Sequence, residues 1–336
     1  MTSNYPPIPD WNGAVSALRS AESVLLVAHV TPDADALGSA LALGLALRTQ
    51  GKSVQVSVGE SGFTVPDSLD FLPGLDLVVT PEDVVLPDVV VVCDTSSLER
   101  LGTLAQAVGS APISIALDHH PTFNGFGTIH VIDPEAPATA ALALKLIDLM
   151  DVTLTRDMAE AIYAGLATDT GSFKFQATTS QTLRDAARLF DAGINHGELA
   201  RKLFDDEPFD ALKILGSALD RAVLIQGAVA GRGLVYTKVA ASDRGNLPEL
   251  AMERIIDTLR RTNEAEVAAV FKQTDDGIWK GSLRSKTLIN VGEVARVLGG
   301  GGHKYAAGYT GTNDVDQMVA DLINELDRVS GDLGGH

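Results

Sequence analysis

The 336-residue sequence contains little cysteine, few aromatic residues and few basic residues, and each shortage excludes a class of protein. Its single cysteine, Cys93, can build neither a disulfide framework nor a cysteine-based zinc site. Aromatic residues make up 5% of the chain, which leaves few side chains on which the bases of a long single strand could stack. The 26 Lys and Arg residues are outnumbered by 44 Asp and Glu residues, giving a net charge of −18. Such a chain lacks the basic footprint that long duplex nucleic acid or an anionic membrane requires.

The sequence also lacks long hydrophobic runs and a recognisable targeting segment. Its apolar stretches are interrupted well before the roughly 20 residues of a membrane-spanning helix. The N-terminal segment Met1–Gly13 is polar and contains proline, without the charged and apolar regions of a signal peptide. We therefore expect a cytoplasmic protein that does not bind membranes.

The acidic charge is unevenly distributed along the chain. Residues 1–200 contain 9 basic and 24 acidic residues, residues 201–310 contain 16 and 14, and residues 311–336 contain 1 and 6. The length is that of two domains, and the step in charge separates an acidic domain from a near-neutral one. We expect a first domain of residues 1–192, a helical linker of residues 193–221 and a smaller second domain of residues 222–330.

Short apolar segments alternate with helical segments in the first half of the sequence. The predicted strands are Ser23–Ala28, Ser53–Val58, Asp88–Cys93, Ile113–Leu117 and Ile129–Ile132. The predicted helices are Asp35–Gln50, Pro137–Met150 and Arg156–Thr168, followed by Thr179–Asp191, Asn195–Phe204 and Phe209–Asp220. This alternation predicts an α/β domain with a mostly parallel sheet, and a second α/β unit follows from Ala222 onward.

Carboxylates and imidazoles follow the ends of these predicted elements. They are His29, Asp33 and Asp35 after the first strand, Asp94 after the third, Asp118, His119 and His120 after the fourth, and Asp169 after the helix from Arg156. Because ligands of open α/β sheets bind at the carboxyl ends of the strands, we expect these groups to lie close together. Like charges this close repel each other, and bound divalent cations relieve the repulsion. The number of groups favours two ions, a common device for phosphoryl chemistry.

Taken one at a time, several of these residues have structural explanations. Asp33 and Asp94 could each cap a following helix, and Asp169 could be a turn residue. The adjacent imidazoles of His119 and His120 are more specific, since packing seldom requires such a pair after a buried strand. Because all four segments carry such groups at the ends of predicted elements, a metal site is favoured over the separate structural explanations.

A second candidate site is the glycine-rich segment Gly299–Gly302, which His303 and Lys304 follow. Consecutive glycines lose much conformational entropy on folding, which a loop that brings backbone N–H groups against an anion would explain. Upstream, Arg284 ends a predicted strand, where its guanidinium could clamp a phosphate. A flexible surface turn is the alternative. The candidate substrate-binding residues are Arg284, Gly300, Gly301, Gly302 and His303.

In order and separation, the acidic and histidine motifs resemble those of the DHH phosphoesterase superfamily. The glycine-rich segment with His303 resembles that of its DHHA-type C-terminal domain, and the segment Thr168–Phe173 is most similar to the bifunctional oligoribonuclease (nanoRNase) and pAp phosphatase group. The resemblance covers nearly the whole chain. It implies a mostly parallel-sheet DHH domain joined by a helical linker to a smaller α/β DHHA-type domain, with the active site in the cleft between them.

The resemblance also implies residue roles. The implied ligands are His29 and Asp33 for one ion, Asp35, His119 and Asp169 for a second, and Asp94 for both. Asp118 would orient His119, and His120 would contact the scissile phosphate. Arg284, His303 and the glycines around Gly301 would hold the rest of the substrate. The usual ion is Mn²⁺, with Mg²⁺ or Co²⁺ as substitutes, and related enzymes are often homodimers.

The implied activity is Mn²⁺-dependent hydrolysis of short phosphorylated nucleotides by activated hydroxide. Substrates would be short RNA and dinucleotides such as pApA or cyclic di-AMP, cleaved 3′–5′ to nucleoside monophosphates, and 3′-phosphoadenosine 5′-phosphate (pAp), converted to AMP. The alternatives are a RecJ-like single-strand exonuclease, a family II inorganic pyrophosphatase and a non-catalytic nucleotide sensor. An exonuclease would need a basic groove with stacking aromatics, and a sensor would be expected to have lost metal ligands.

Overall fold

The computed structural model describes residues 8–245, 252–312 and 314–332. The chain divides between Asp206 and Glu207 into two compact units. That division lies inside the segment 193–221, for which we expected a helical linker. In the described residues no helix has the length and apolar character needed to cross a membrane.

The first unit is an α/β domain with five strands among its described residues. The strands are β1 (Ser23–Ala28), β2 (Ser53–Val58), β3 (Val89–Cys93), β4 (Ile113–Asp118) and β5 (Ile129–Ile132). The helices are α1 (Trp11–Ser20), α2 (Ala34–Thr49), α3 (Ala105–Ser110), α4 (Thr139–Leu149), α5 (Arg156–Asp169), α6 (Ser180–Asp191) and α7 (His196–Phe204), with a 3₁₀ segment at Leu98–Leu104. The predicted α/β class is confirmed.

The sheet of the first unit is parallel throughout, in the order β2-β1-β3-β4-β5. Successive residues of β1 point to opposite faces, so Leu26 packs in one apolar layer and Leu25 in the other. Ala28 pairs with Cys93, and Cys93 with Leu117. This register aligns the carboxyl ends of β1, β3 and β4 at one edge of the sheet.

Helix α2 is buried on almost all sides, which explains its composition of Ala, Gly and Leu. A Cβ atom on Gly38 would lie 2.5 Å from the carbonyl oxygen of Ala161 in α5. Glycine therefore permits a close approach of α2 and α5. That approach brings the beginning of α2, with Asp35, near the end of α5, with Asp169.

The second unit contains a mixed sheet covered by helices. Its described strands are β6 (Val223–Ile225), β7 (Leu234–Val239), β8 (Val267–Gln273), β9 (Trp279–Ser285), β10 (Gly301–His303) and β11 (Ala306–Thr310). Its described helices are α8 (Phe209–Asp220), α9 (Ala228–Gly231), α10 (Ala241–Arg244), α11 (Glu253–Leu259), α12 (Val291–Val297) and α13 (Val315–Asp332). The order is β10-β11-β9-β8-β7-β6; β7 and β8 are parallel, and the other neighbouring pairs are antiparallel.

The glycine-rich segment differs from the loop that we predicted, because Gly301–His303 forms strand β10 and pairs with β11. A Cβ atom on Gly300 would lie 2.1 Å from the carbonyl oxygen of Gly308. A Cβ atom on Gly302 would lie 2.6 Å from the carbonyl oxygen of Ala306. These two glycines therefore allow close contact with β11. Gly301 is different, since a Cβ there would have no atom within 4 Å.

Candidate metal centre

The carboxyl ends of three neighbouring strands carry the predicted acidic and histidine residues. His29 follows β1, Asp94 follows β3, and Asp118 is the last residue of β4, with His119 next to it. Helix α2 adds Asp35 in its first turn, and α5 adds Asp169 at its end. The fold of the first unit thus brings all four predicted segments to one place.

The first ligand group consists of His29, Asp33 and Asp94, with one donor atom from each within 4.8 Å of the others. Nε2 of His29 is 3.9 Å from Oδ2 of Asp33 and 3.7 Å from Oδ2 of Asp94. The other oxygen of Asp33 accepts hydrogen bonds from the backbone N–H groups of Asp35 and Ala36. Asp33 therefore caps α2 with one oxygen, as its structural explanation requires, while its second oxygen faces His29 and remains a candidate metal ligand.

The second ligand group consists of Asp35, Asp94 and His119, and Asp169 lies beside it. Nε2 of His119 is 3.8 Å from Oδ2 of Asp35 and 3.5 Å from Oδ1 of Asp94. It is 3.2 Å from Oδ2 of Asp169. This arrangement places one imidazole among three carboxylates.

Asp94 belongs to both groups and directs a different oxygen to each. Oδ2 faces His29, and Oδ1 faces His119. The residue is 3% exposed and has a backbone φ of 60°, a left-handed conformation that is unfavourable for a non-glycine residue. The geometry is that of a carboxylate able to bridge two cations.

The charges of the cluster agree with a cation site. Burial raises the pKa of Asp35 well above its usual value, and the charges of Asp169 and Asp94 raise it further. Burial also raises the pKa of Asp169, although His119 opposes the effect. Burial alone would raise the pKa of Asp94, but the neighbouring imidazoles outweigh it and lower this pKa. Crowded, desolvated carboxylates of this kind are stabilised by bound cations.

The donor set and its spacing fit two divalent ions. Carboxylate oxygens with imidazole nitrogens suit Mn²⁺, Mg²⁺ or similar cations rather than thiolate-preferring ones. Adjacent ligands of an octahedral ion, at about 2.1 Å from it, lie about 3 Å apart. The closest contacts of the two groups, 3.2–3.9 Å, are near that spacing.

Backbone carbonyls can set the tautomers of the two histidines that face the carboxylates. Nδ1 of His29 is 2.8 Å from the carbonyl oxygen of Val30, and Nδ1 of His119 is 3.1 Å from that of Ala136. A proton on each Nδ1 would leave the Nε2 lone pairs directed at the ligand groups. Nη2 of Arg100, which sequence reasoning missed, lies 3.0 Å from the same Nδ1 of His29; because a guanidinium can only donate, this contact competes with the Val30 carbonyl for Nδ1.

Asp118 contacts His120 rather than His119, which corrects the role that the resemblance implied. Its Oδ1 accepts a hydrogen bond from Nδ1 of His120 at 2.6 Å. Nδ1 of His119 instead lies 3.1 Å from the carbonyl oxygen of Ala136. Both imidazoles approach Oδ1 of Asp94, at 3.5 Å from Nε2 of His119 and 3.7 Å from Nδ1 of His120. Burial opposes the charged form of His120, but Asp118 and Asp94 outweigh it and raise its pKa. Oδ2 of Asp118 is buried without a hydrogen-bond partner among the described residues.

Two backbone donors and one hydroxyl at the start of α4 were also missed. The N–H groups of Thr139 and Ala140 donate to the carboxylate of Asp35, and Oγ1 of Thr139 donates to Asp94. The preceding residue, Ala138, provides no side-chain cap. No local sequence pattern marks these contacts, because the partners lie 104, 105 and 45 residues away along the chain.

The candidate substrate-binding residues of the second unit occupy neighbouring strands. His303 of β10 pairs with Ala306 of β11, which pairs in turn with Arg284 of β9. Residues in one such row point to the same face of the sheet. Arg284 is 22% exposed at its side chain, with Nε 3.9 Å from Oδ1 of Asp257. The small side chain of Ala306 thus lies between an imidazole and a guanidinium.

Comparison with known proteins identifies the class. The description "DHH family, N-terminal domain" matches residues 23–166, and "DHHA1 domain" matches residues 232–332. The chain is 32% identical over 331 residues to the bifunctional oligoribonuclease and PAP phosphatase NrnA of Thermus thermophilus, covering 97% of both chains.

Two solved structures share the fold. An exopolyphosphatase-related protein from Bacteroides fragilis has a TM-score of 0.85 at 24% identity, covering 96% of this chain and 97% of that one. The exonuclease RecJ bound to manganese has a TM-score of 0.51 at 17% identity, covering 97% and 95%. The chain belongs to the DHH family and carries a DHHA1 domain. Within that family, one relative that aligns over nearly the full length is a bifunctional oligoribonuclease and PAP phosphatase.

Proposed function

We propose that this chain, a phosphoesterase by its family, is a Mn²⁺-dependent hydrolase of short phosphorylated nucleotides. It removes the 3′-phosphate of pAp to give AMP, and it cleaves short RNA and dinucleotides to nucleoside monophosphates. The observation that carries the proposal is the shared carboxylate of Asp94, with one oxygen towards each ligand group. The activity of the relative that aligns over 97% of the chain supports the substrate class.

We assign each candidate residue of the first unit a separate role in catalysis. His29 and Asp33 would hold one ion, Asp35, His119 and Asp169 would hold the other, and Asp94 would be a ligand of both. Two such ions, when bound, lower the pKa of a water near the phosphate and offset the charge of the leaving oxygen. His120, held by Asp118, whose charge together with that of Asp94 raises the pKa of the imidazole, donates a hydrogen bond to an oxygen of the scissile phosphate.

We assign the recognition of the rest of the substrate to the second unit. The row of His303, Ala306 and Arg284 presents two donors separated by a small residue. A Cβ atom placed on Gly301 would have no neighbouring atom within 4 Å, so a ligand could approach the backbone there. We propose that Arg284, His303 and the backbone of Gly300–Gly302 bind the nucleotide or phosphate that is not cleaved.

Product analysis on a small substrate panel tests the proposal. Purified protein with Mn²⁺ is incubated with pAp, pApA, cyclic di-AMP, short RNA oligomers, a long single strand and pyrophosphate. We expect AMP and phosphate from pAp and mononucleotides from short RNA, with both activities lost in EDTA and in Asp94→Asn. Turnover of pyrophosphate alone, or degradation confined to the long strand, would contradict the proposal. Binding of pAp without product at saturating Mn²⁺ would favour a nucleotide sensor.

A further inference from the structure

The first residue of α4 contacts carboxylates from both ligand groups. Thr139 is fully buried. Its hydroxyl donates to Oδ1 of Asp94 at 2.9 Å, and its backbone N–H donates to Oδ2 of Asp35 at 2.7 Å. Asp35 and Asp94 approach His119 with these same two oxygens. One residue therefore holds both carboxylates on the side that faces this imidazole.

The position of Thr139 in its helix explains the two backbone contacts. The first N–H groups of a helix have no partner within it, and the residue before α4 is an alanine that cannot cap it. The carboxylate of Asp35 in α2 caps the helix instead. One of its oxygens accepts a hydrogen bond from the N–H of Thr139, and the other accepts one from the N–H of Ala140 at 2.8 Å. The positive end of the α4 dipole also favours a carboxylate there.

The hydroxyl contact is not explained by helix capping. Thr168 and Thr170 donate their hydroxyls to carbonyl oxygens one turn earlier in α5, which is the usual local solution for a helical threonine. Thr139 instead donates to a carboxylate in another element. Asp94 is 3% exposed, so little water is available to replace this donor.

We propose that Thr139 is a positioning residue of the metal centre, whose hydroxyl and N–H fix Asp94 and Asp35 at the spacing that the second ion requires. This inference rests on the proposed function, because it assigns the residue to the same metal site. Outer contacts of this kind hold ligands in orientation, and their loss typically reduces metal affinity or activity about 10–100-fold.

The test compares three variants by Mn²⁺ binding without substrate. Thr139→Val keeps the shape and the backbone N–H but removes the hydroxyl, and Thr139→Ser keeps the hydroxyl. The control is Thr237→Val, which removes a hydroxyl that is equally buried and donates to the carbonyl of Ala218 at 2.6 Å in the second unit. Binding is followed by the electron paramagnetic resonance signal of free Mn²⁺, and hydrolysis of pAp is measured across Mn²⁺ concentrations.

We expect Thr139→Val to weaken Mn²⁺ binding about 10-fold or more, while Thr139→Ser and Thr237→Val bind like wild type. The Mn²⁺ concentration for half-maximal hydrolysis should rise in Thr139→Val by a larger factor than the fall in kcat at saturating Mn²⁺. Binding by Thr139→Val that matches Thr237→Val would overturn the inference. Equal losses in Thr139→Val and Thr139→Ser would also overturn it, since the variant that keeps the hydroxyl would then bind no better than the variant that lacks it.

The outcomes separate this inference from the proposed function. If wild type binds Mn²⁺ and Thr139→Val weakens binding, but no nucleotide is hydrolysed, the proposed function fails and the positioning role stands. If wild type hydrolyses pAp and Thr139→Val is unchanged, only the positioning role fails. Wild type that binds no Mn²⁺ overturns both. Should Thr139→Val not fold, Thr139→Ala replaces it, and failure of both to fold beside a folded Thr139→Ser would assign Thr139 a structural role instead.

Discussion

Single residues in unfavourable backbone conformations occur in the segments that carry the ligands. Thr31 precedes Asp33 with a φ of 50°, and Asp94 itself has a φ of 60°. Ser172 and Phe173, directly after the α5 segment that ends in Asp169, have φ values of 59° and 63°. Left-handed non-glycine residues are destabilising unless the surrounding structure enforces them. Their position beside the ligand groups indicates that the fold accepts locally unfavourable backbone conformations because they orient the side chains of the candidate ligands.

At the same scale, the clustering of the candidate ligands could be predicted from the sequence, but the contacts that each side chain makes could not. Asp33 and Asp94 stand at the ends of apolar runs, and a strand end is visible in the sequence. The pairing of Asp118 with His120 depends on which side each residue faces after β4 ends, and this differs from the role that we expected. Thr139 and Arg100 have no local pattern, since their contacts are made only when distant segments meet.

His120 gives the residue-scale prediction. His120→Gln should retain Mn²⁺ binding, because the ligands that we propose for the two ions do not include this side chain, although His120 also forms a group of potential ligand atoms with Asp94 and Asp118. It should lower kcat for pAp about 100-fold or more, the usual contribution of a positioned proton donor. His130→Gln is the control, since that histidine contacts the carbonyl of Gly127 away from the ligand groups. Mn²⁺ titration with steady-state kinetics checks both, and loss of Mn²⁺ binding in His120→Gln would make His120 a ligand instead.

At the scale of elements, the strands of the first unit followed from composition. The predicted bounds of β1, β2 and β5 agree with the structure; β1 is an apolar run, whereas β2 alternates polar and apolar residues. We predicted that the glycine-rich segment forms a loop. This prediction was wrong for Gly301–His303, which forms strand β10. Its strand conformation depends on pairing with β11, and glycine carries no side-chain pattern that indicates a partner. Helix α1 was not predicted, although Asp10 caps it.

The approach of α5 to α2 and α4 gives a prediction at this scale. A Cβ on Gly165 would lie 2.5 Å from Oδ1 of Asp35 and 2.9 Å from Cβ of Ala140. Gly165→Ala should therefore displace Asp35, destabilise the fold by about 1–3 kcal/mol through overpacking and weaken Mn²⁺ binding. The matched control is Gly216→Ala in α8, where a Cβ meets nothing within 4 Å. That change should be neutral or stabilising, by up to about 1 kcal/mol.

Thermal unfolding without metal and Mn²⁺ titration distinguish the two glycine variants. Equal melting temperatures for Gly165→Ala and wild type would show that α2 and α5 can separate without penalty. Weaker Mn²⁺ binding in Gly216→Ala would mean that the effect is not specific to the ligand groups.

A loop of the second unit is held next to the sheet by the partly buried carboxylate of Glu266. Oε1 of Glu266 accepts hydrogen bonds from the N–H groups of Thr287, Leu288 and Ile289. Burial raises the pKa of Glu266, but these N–H groups outweigh it and lower the pKa overall. Because the pKa of Glu266 is lower in the folded state, its charged form stabilises the fold. This stabilisation is present above the unfolded-state pKa of 4.5 and is lost as the pH falls through the lower folded-state pKa.

Glu266→Gln should therefore destabilise the protein at neutral pH and much less in acid. The loss at pH 7 should be about 1 kcal/mol, since partial exposure screens the charge and the amide oxygen still accepts. Denaturant unfolding at neutral and acidic pH measures it, with the exposed Glu264→Gln as control. A difference from wild type that stays constant as the pH falls below 4.5 would contradict the role of the charge.

At the scale of the whole molecule, the net charge of −18 has two components. Asp33, Asp35, Asp94 and Asp169 belong to the candidate metal centre, and two divalent ions would offset about the charge that they carry. The remaining excess lies in the rest of residues 1–200 and in residues 311–336, because residues 201–310 contain 16 basic and 14 acidic residues. A substrate that fits at the metal centre meets a locally neutralised site, whereas each further phosphate of a longer strand meets an acidic protein.

Substrate length and salt should therefore be coupled. We expect kcat/KM to be highest for dinucleotides and to fall as RNA lengthens, because added phosphates are repelled by the acidic surface. Raising the ionic strength should reduce this penalty, since the Debye length falls from about 30 Å at 0.01 M to about 10 Å at 0.1 M. Rates on pAp at each salt concentration correct for effects on the site itself. Rates that rise with length and fall steeply with salt would instead indicate counterion release from a basic groove, and with it a long-strand exonuclease.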